Sequence, residues 1–133
     1  MREILFRGKR IPDQAWCYGN LVVKKSGMAI ITPDDTPLGK YGAVSPETVG
    51  QYTGCNDNAG NPVFEGDILK AYYDDEDPGT ETLSVVEWEQ NGWRVKPIGC
   101  PVSDELDDYA LKINTVIGNI HDDPELLEVS DGR

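Results

Sequence analysis

Glycine and proline recur often along this chain, which favours turns and short strands over long helices. The sequence contains 14 glycines and 9 prolines among 133 residues. Both residues disfavour the interior of a helix, because glycine loses much conformational entropy on ordering and proline lacks a backbone donor. The segments between them are short and rich in valine, isoleucine and aromatic residues, a composition typical of strands. The sequence therefore predicts a mainly β protein.

Two hairpins are predicted from local patterns. Residues 16–23 form an aromatic and β-branched run that ends in a Lys-Lys-Ser-Gly turn, and residues 28–32 return from that turn. Residues 83–89 and 93–96 flank the sequence Gln-Asn-Gly. Since Asn-Gly between two β-rich runs favours a type I′ turn, this second hairpin is the clearest local signal in the chain.

The remaining segments are predicted from weaker signals. Residues 63–73 are typical of one strand, in which Gly66 marks a bulge or a close backbone approach. Residues 109–120 indicate one or two further strands. Residues 33–46, with three prolines and little periodicity, predict a surface loop. Proline at the first helical position predicts short helical turns after Ser45 and at Pro124, near the carboxyl terminus.

The formal net charge of −12 is distributed unequally and suggests a module boundary. Residues 1–54 carry seven Lys and Arg against five Asp and Glu, a net charge of +2. Residues 55–133 carry five against nineteen, a net charge of −14. We predict an amino-terminal β module, residues 1–54, packed on a small SH3-like barrel module, residues 55–133, the two together able to form one compact domain.

Apolar residues at the predicted strand positions define the expected core. The predicted core residues are Ile4, Phe6, Trp16, Leu21, Val49, Tyr52, Phe64, Ile68, Val86, Trp88, Val95, Val116, Ile117, Ile120 and Leu127. They come from both modules, so each module is expected to bury part of this set.

Charged clusters are the candidate interaction sites. The basic candidates are Arg2, Arg7, Lys9, Arg10, Lys24 and Lys25. The acidic candidates form a predicted solvent-exposed tip, Asp74, Asp75, Glu76 and Asp77. The acidic surface is expected mainly to keep the protein soluble, and mimicry of nucleic acid is the alternative. Because acidic surface repels a phosphate backbone, nucleic acid is an unlikely partner unless the basic residues bind it.

The sequence contains no recognisable catalytic, metal or cofactor motif. His121 is its only histidine and lies beside two aspartates, a setting typical of a charged surface turn. Cys17, Cys55 and Cys100 lack paired ligand spacing and are predicted to be reduced thiols, with no zinc site. The acidic tip lacks the ligand spacing of an EF-hand calcium loop, and no phosphate-binding glycine motif is present.

A pair of acids, Glu65 and Asp67, could be read as acid/base groups. With 24 Asp and Glu in the chain, such pairs arise by chance. The structural interpretation is favoured, in which Asp67 accepts backbone hydrogen bonds at a turn. No catalytic residue and no cofactor are predicted.

No stretch approaches the roughly 18 apolar residues of a membrane span, and the amino terminus lacks the apolar region of a signal peptide. We therefore expect a cytoplasmic protein with no membrane partner.

An ordered set of motifs covers nearly the whole chain. They are REILFRG at 2–8, Trp16 with YGNL at 18–21, ETVGQYTG at 47–54, Asp57 with Gly60, FEGDI at 64–68 and VIGNIHDDPELL at 116–127. In order and spacing this set resembles the YopX family. The resemblance implies a protein of phages, prophages or related mobile elements, made inside the bacterial host and without an established activity. It also implies that the chains associate into homo-oligomers.

Three hypotheses for function follow. The favoured one is a non-catalytic phage accessory protein that works by self-assembly or by binding a host or phage protein. The first alternative is a nucleic-acid-binding module that uses the basic amino-terminal half. The second is an enzyme with carboxylate chemistry, which is the least favoured because no catalytic constellation is visible.

Overall fold

The computed structural model describes residues 3–33 and 42–128. The chain folds as two compact units, Met1–Gly54 and Cys55–Arg133. Eleven short strands account for most of the regular structure in the described residues, and the one α-helix there has 6 residues. The prediction of a mainly β fold is confirmed.

The first sheet has six antiparallel strands in the order β4-β3-β2-β1-β5-β6. The strands are β1 Phe6–Lys9, β2 Trp16–Val23, β3 Ala29–Thr32, β4 Gly42–Val44, β5 Gly50–Asn56 and β6 Pro62–Phe64. The predicted first hairpin is confirmed, because β2 pairs with β3 from Asn20 opposite Thr32 to Val23 opposite Ala29.

The second sheet has five antiparallel strands in the order β10-β9-β8-β7-β11. The strands are β7 Asp67–Tyr72, β8 Glu81–Glu89, β9 Gly92–Pro97, β10 Asp104–Glu105 and β11 Thr115–Asn119. Helix α1, Asp108–Ile113, lies between β10 and β11 in the sequence. In the described parts of the chain no pairing of edge strands closes either sheet, so the predicted SH3-like barrel is not confirmed.

Single turns of 3-10 helix begin at prolines in three places within the described residues: Pro46–Thr48, Pro78–Thr80 and Pro124–Leu127. Proline suits this position because its fixed φ is helical and its missing donor would be unsatisfied there anyway. The predicted turns after Ser45 and at Pro124 are confirmed. Across residues 3–33 and 42–128, no helix has the length and apolar character needed to span a membrane.

The second predicted hairpin is confirmed, but its turn differs from the prediction. Glu89 pairs with Gly92, so the two-residue loop is Gln90-Asn91 rather than Asn91-Gly92. Gln90 adopts a φ of 45°, and Gly92 begins β9. The right-handed twist of the strands demands a positive φ at the first loop position, and Gln90 supplies it.

The prediction of one strand over residues 63–73 is wrong. Gly66 has a φ of +89°, and the chain turns there between β6 and β7. The alternative of a close backbone approach is confirmed: the Gly66 N–H donates to the Val86 carbonyl at 2.9 Å, and the Ile120 N–H donates to the Gly66 carbonyl at 2.9 Å.

The prediction of strands throughout residues 109–120 is also wrong in its first half. Asp107 caps α1, since its side chain accepts a hydrogen bond from the Ala110 N–H at 2.9 Å. This bond satisfies one of the donors that a helix start leaves free, which favours the helix over a strand. Only Thr115–Asn119 is a strand.

The predicted loop over residues 33–46 contains strand β4. Val44 is 1% exposed and pairs with Ala29 on β3. Burial and pairing therefore stabilise this three-residue strand, which is too short to show a pattern in the sequence. Residues 34–41 of that loop lie outside the described residues.

Each unit has its own apolar cluster. In the first unit Ala29, Ile31 and Val44 are buried, with Phe6, Cys17, Leu21 and Val49 packed against them. In the second unit Val63, Leu69, Val86 and Val95 are buried, with Trp93, Leu106, Leu111 and Val116 packed against them.

The core prediction is correct for part of its set. Phe64, Ile68, Val86 and Val95 are buried, and most of the other predicted residues are half-buried. Four predicted core residues are exposed: Ile4 at 57%, Trp88 at 51%, Ile117 at 41% and Leu127 at 36%. Trp88 is exposed because it lies one pair from the turn of the β8-β9 hairpin, where its ring and that of Trp93 pack edge to face.

Candidate functional site

A cavity of about 350 Å³ in the second unit is the candidate site, and we call it the acidic pocket. Volumes of about 300 to 1,000 Å³ are typical of ligand sites. Its polar lining residues are Tyr73, Asp104, Glu105, Asp107, Tyr109 and Asn114, and its apolar lining residues are Val95, Ala110 and Ile113. No lysine or arginine lines it among the described residues.

Four elements build the acidic pocket. Tyr73 directly follows β7, and Val95 lies on β9. Strand β10 pairs with β9, with Asp104 opposite Val95, which places the β10 carboxylates at the edge of the sheet. Helix α1 then contributes the remaining wall. The pocket therefore depends on the short β10 strand and on the start of α1, neither of which was predicted from the sequence.

The pocket has a buried floor and an open, aromatic rim. Val95, Ala110 and Asn114 are at most 8% exposed, whereas Tyr73 is 51% exposed and Tyr109 is 59% exposed. Burial raises the pKa of Tyr73, and the charge of Asp104 and the neighbouring Tyr109 raise it further. The Tyr73 phenol is therefore neutral at physiological pH.

Several acceptors in the pocket are not used by the fold. The Asn114 amide donates through Nδ2 to the Ala110 carbonyl at 2.8 Å, and no described residue donates to its Oδ1. Asp104 and Glu105 form no ion pair or side-chain hydrogen bond with the described residues. Asp107 is different, because its carboxylate already caps α1.

This arrangement suits a cation. Carboxylates, phenol oxygens and an amide oxygen all accept hydrogen bonds, and aromatic faces attract positive charge. A metal ion fits less well, because the described residues contain no group of three His, Cys, Asp or Glu side chains placed to hold one.

The structure divides the predicted basic residues into separate groups. Arg7 is only 6% exposed, and its guanidinium lies 4.6 Å from the centroid of the Trp16 ring. Lys9 lies over the same ring at 5.5 Å. Arg10 pairs with Asp13 at 3.5 Å. Arg2 lies outside the described residues.

Lys24 and Lys25 are exposed in the turn that follows β2. Trp16 begins β2, and Lys24 comes just after the last of its 8 residues. A strand of that length spans about 25 Å, so these lysines and the Trp16 group do not form one basic patch.

The predicted acidic tip is exposed, and two of its four acids hold its shape. Asp74 Oδ1 accepts from the Glu76 N–H at 3.0 Å, and Asp77 Oδ1 accepts from the Gly79 N–H at 2.8 Å. Asp75 and Glu76 leave their carboxylates in solvent. The tip is thus a turn that displays two acids rather than four.

Asp57, one of the residues on which the family resemblance depends, has a structural role. Its carboxylate accepts from the N–H groups of Ala59, Asn61 and Val116 at 2.8 to 2.9 Å and from Asn61 Nδ2 at 3.1 Å. Burial raises the pKa of Asp57, but these hydrogen bonds outweigh it and lower the pKa below its ordinary value. Asp57 joins the turn before β6 to β11.

Asp67 is also structural, as predicted. It is 2% exposed, and its Oδ2 accepts from the Phe64 N–H at 2.7 Å. Glu65 lies in the turn rather than on a regular strand, which removes the shared strand face on which an acid/base pair would depend.

The segment around His121 forms a hydrogen-bonded turn. Asn119 Oδ1 accepts from the N–H groups of His121 and Asp122 at 3.0 and 2.9 Å. Asp123 Oδ2 accepts from the Asn119 N–H at 3.1 Å. These hydrogen bonds to Asn119 and Asp123 form the turn that ends β11, so they account for this part of the sequence structurally.

All three cysteines are free thiols. Cys17 Sγ donates to the Gly8 carbonyl at 3.5 Å, and burial raises the pKa of this thiol, with smaller opposing effects of Arg10 and Asp13. Cys17 therefore stays protonated at neutral pH and is a poor nucleophile.

Sequence reasoning missed the acidic pocket. The segment 104–109 reads Asp-Glu-Leu-Asp-Asp-Tyr, and its carboxylates and tyrosine were visible as a signal. Their meaning depends on Tyr73 and Val95 being brought beside them, which the sequence pattern does not indicate.

Two antiparallel sheets of short strands place this chain among small, mainly β proteins. Its candidate site is an acidic pocket rimmed by two tyrosines. The chain belongs to the YopX family: the family model described as YopX protein matches residues 5–128. A crystal structure of protein EF1440 from Enterococcus faecalis is similar in fold, with a TM-score of 0.67 and 20% sequence identity. The similarity covers 96% of this chain and 100% of that one. No curated protein matches the chain.

Proposed function

We propose that this protein is a phage or prophage accessory protein that acts in the bacterial cytoplasm without catalysis, by associating with itself or with another phage or host protein. The observation that carries the proposal is the opposite charge of the two units, +2 for residues 1–54 and −14 for residues 55–133. Opposite charges on two units of one chain favour association of the basic unit of one copy with the acidic unit of another.

The hairpin turn between β2 and β3 is the contact surface that we propose on the basic unit. Lys24 and Lys25 lie there near exposed apolar side chains, of which Val22 at 49% and Met28 at 47% exposure share one face of the hairpin because strand side chains alternate. An apolar group with a charged rim is the usual composition of a protein interface.

The two alternatives have less support. Nucleic-acid binding needs basic residues that track a phosphate backbone, whereas Arg7 is buried and Lys24 and Lys25 are separated from the Trp16 group. Carboxylate catalysis is favoured where convergent carboxylates are shielded from water, whereas Asp104 and Glu105 are solvent-exposed and the Asp107 carboxylate is used to cap α1.

Affinity capture tests the proposal. A tagged chain is expressed in bacteria that carry the phage and also make the untagged chain, and the retained proteins are identified by mass spectrometry. We expect untagged copies, or one reproducible partner, to be retained at low salt and to be lost with Lys24→Glu/Lys25→Glu. The matched control Lys96→Glu/Lys112→Glu changes the charge equally on the acidic unit and should retain them. Capture of neither would contradict the proposal.

A further inference from the structure

The acidic pocket is lined by hydrogen-bond acceptors, and no lysine or arginine is among the described residues that line it. Asp104 and Glu105 are exposed carboxylates without an ion pair in the described residues, and Asn114 Oδ1 accepts no hydrogen bond from those residues. Carboxylates bind charged donors more strongly than neutral ones, so a positively charged ligand that donates several hydrogen bonds would be favoured here.

The ligand should be an organic cation rather than a metal ion. The cavity of about 350 Å³ is far larger than one ion, and its carboxylates are not arranged as a metal site. Two tyrosine rings at the rim and an apolar floor of Val95, Ala110 and Ile113 suit a cation that is flat or carries an aliphatic stem.

An arginine side chain meets these requirements better than lysine. Its guanidinium is planar, stacks on aromatic faces and presents five donors in a rigid fork. The acceptors of the acidic pocket come from separate elements, namely β10 for Asp104 and Glu105 and the end of α1 for Asn114. A group with several diverging donors can reach both sets, whereas an ammonium is a compact point charge.

This chain's own described arginines are already engaged. Arg7 lies over Trp16, Arg10 pairs with Asp13, and Arg94 donates to Ser103 O at 2.7 Å and to Ser103 Oγ at 3.1 Å. We propose that the acidic pocket binds an exposed arginine side chain on a peptide segment of a different protein. This inference rests on the proposed function, because it assigns the chemistry by which a partner is recognised.

Titration with three short peptides tests the inference. The full chain, labelled with ¹⁵N, is titrated with acetyl-Gly-Arg-Gly-amide, with the lysine peptide and with the citrulline peptide, in which a neutral group of the same shape replaces guanidinium. The arginine peptide should shift the amide signals of Asp104, Tyr109 and Asn114. The citrulline peptide should bind about tenfold more weakly, because it lacks the positive charge that aromatic rings and carboxylates attract. Equal binding of the arginine and citrulline peptides, or shifts confined to other residues, would overturn the inference.

Paired variants locate the effect in the acidic pocket. Asp104→Asn/Glu105→Gln keeps the shape of both side chains and should weaken the arginine peptide about tenfold. The control Asp75→Asn/Glu76→Gln makes the same charge change at the exposed acidic tip and should leave the affinity unchanged. Equal weakening by both variants would show an effect of net charge alone and would overturn the site. Equal affinity for the lysine peptide would overturn the choice of arginine.

The two proposals fail separately. If the arginine peptide binds as expected but affinity capture retains neither copies of the chain nor a partner, the proposed function fails and the pocket chemistry stands. If a partner protein is retained equally by Asp104→Asn/Glu105→Gln and by the unchanged chain, association stands and the role of the acidic pocket in it is overturned.

Discussion

At the residue scale, one buried carboxylate joins two distant parts of the second unit. Asp57 accepts four hydrogen bonds, three from the turn that follows it and one from Val116 on β11. Replacing Asp57 by Ala leaves these donors without their acceptor, so the free energy of unfolding should fall by about 2 to 4 kcal/mol. Urea denaturation measures the change.

The control for that substitution is Asp75→Ala, at an exposed position. It should change the free energy of unfolding by no more than about 0.5 kcal/mol. A loss of similar size in both variants would mean that Asp57 contributes through net charge and not through its hydrogen bonds.

The pH dependence of stability gives a second test of Asp57. Because the hydrogen bonds lower its folded pKa, ionised Asp57 stabilises the fold above its unfolded pKa of about 3.9, and this contribution is lost as the pH falls through the folded pKa. The stability difference between the unchanged chain and Asp57→Asn, measured by urea denaturation, should therefore be constant near neutral pH and shrink below about pH 4. A difference that stays constant into the acid range would contradict this role.

Some residue roles were predictable, because they depend on local chemistry. The role of Asp67 followed from the turn-forming habit of aspartate near glycine, and the contact with the Phe64 N–H confirms it. The exposure of Trp88 was not predictable, because burial near the end of a strand is decided by tertiary packing. The exposure of Ile117 was not predictable because Ile117 is the unpaired residue of a β-bulge in β11, which interrupts the alternation of side chains between the two faces.

At the element scale, the β2-β3 hairpin requires a residue without a side chain at position 19. A Cβ on Gly19 would collide with the Thr32 carbonyl oxygen and lie 2.7 Å from the Thr32 carbonyl carbon and 2.9 Å from the Pro33 Cα. Backbone atoms cannot move aside as a side chain can. Gly19→Ala should lower the free energy of unfolding by about 3 kcal/mol or more, measured by urea denaturation.

Gly92→Ala is the matched control, because a Cβ there would meet no heavy atom within 4 Å. Its effect should stay within about 0.5 kcal/mol. If the chain tolerates Ala at both positions equally, the close approach of β2 to Thr32 is not a constraint on the hairpin.

Elements with strong short-range signals were predictable, and elements held by neighbours were not. The two hairpins follow from β-rich runs joined by turn residues. Strands β4 and β10 have 3 and 2 residues, too few to show a period, and exist because they pair with β3 and β9. The sequence predicts strand where helix α1 forms, because the apolar residues of that segment suit either structure and the cap from Asp107 decides between them.

At the scale of the whole molecule, the charge asymmetry was visible in sequence and the acidic pocket was not. Net charge is a sum over residues, so it needs no fold. The pocket needs β7, β9, β10 and α1 in place, and two of these elements were missed. A site that several short elements build is beyond what local patterns indicate.

Sedimentation velocity of the purified full chain over a series of salt concentrations tests the central claim, association driven by opposite charge, most directly. The account predicts oligomers at low ionic strength that dissociate towards 1 M salt, where charges are screened beyond about 3 Å. Lys24→Glu/Lys25→Glu should remove the oligomers at every salt concentration, and Lys96→Glu/Lys112→Glu should not. A strict monomer under all conditions, or an oligomer indifferent to salt, would contradict it.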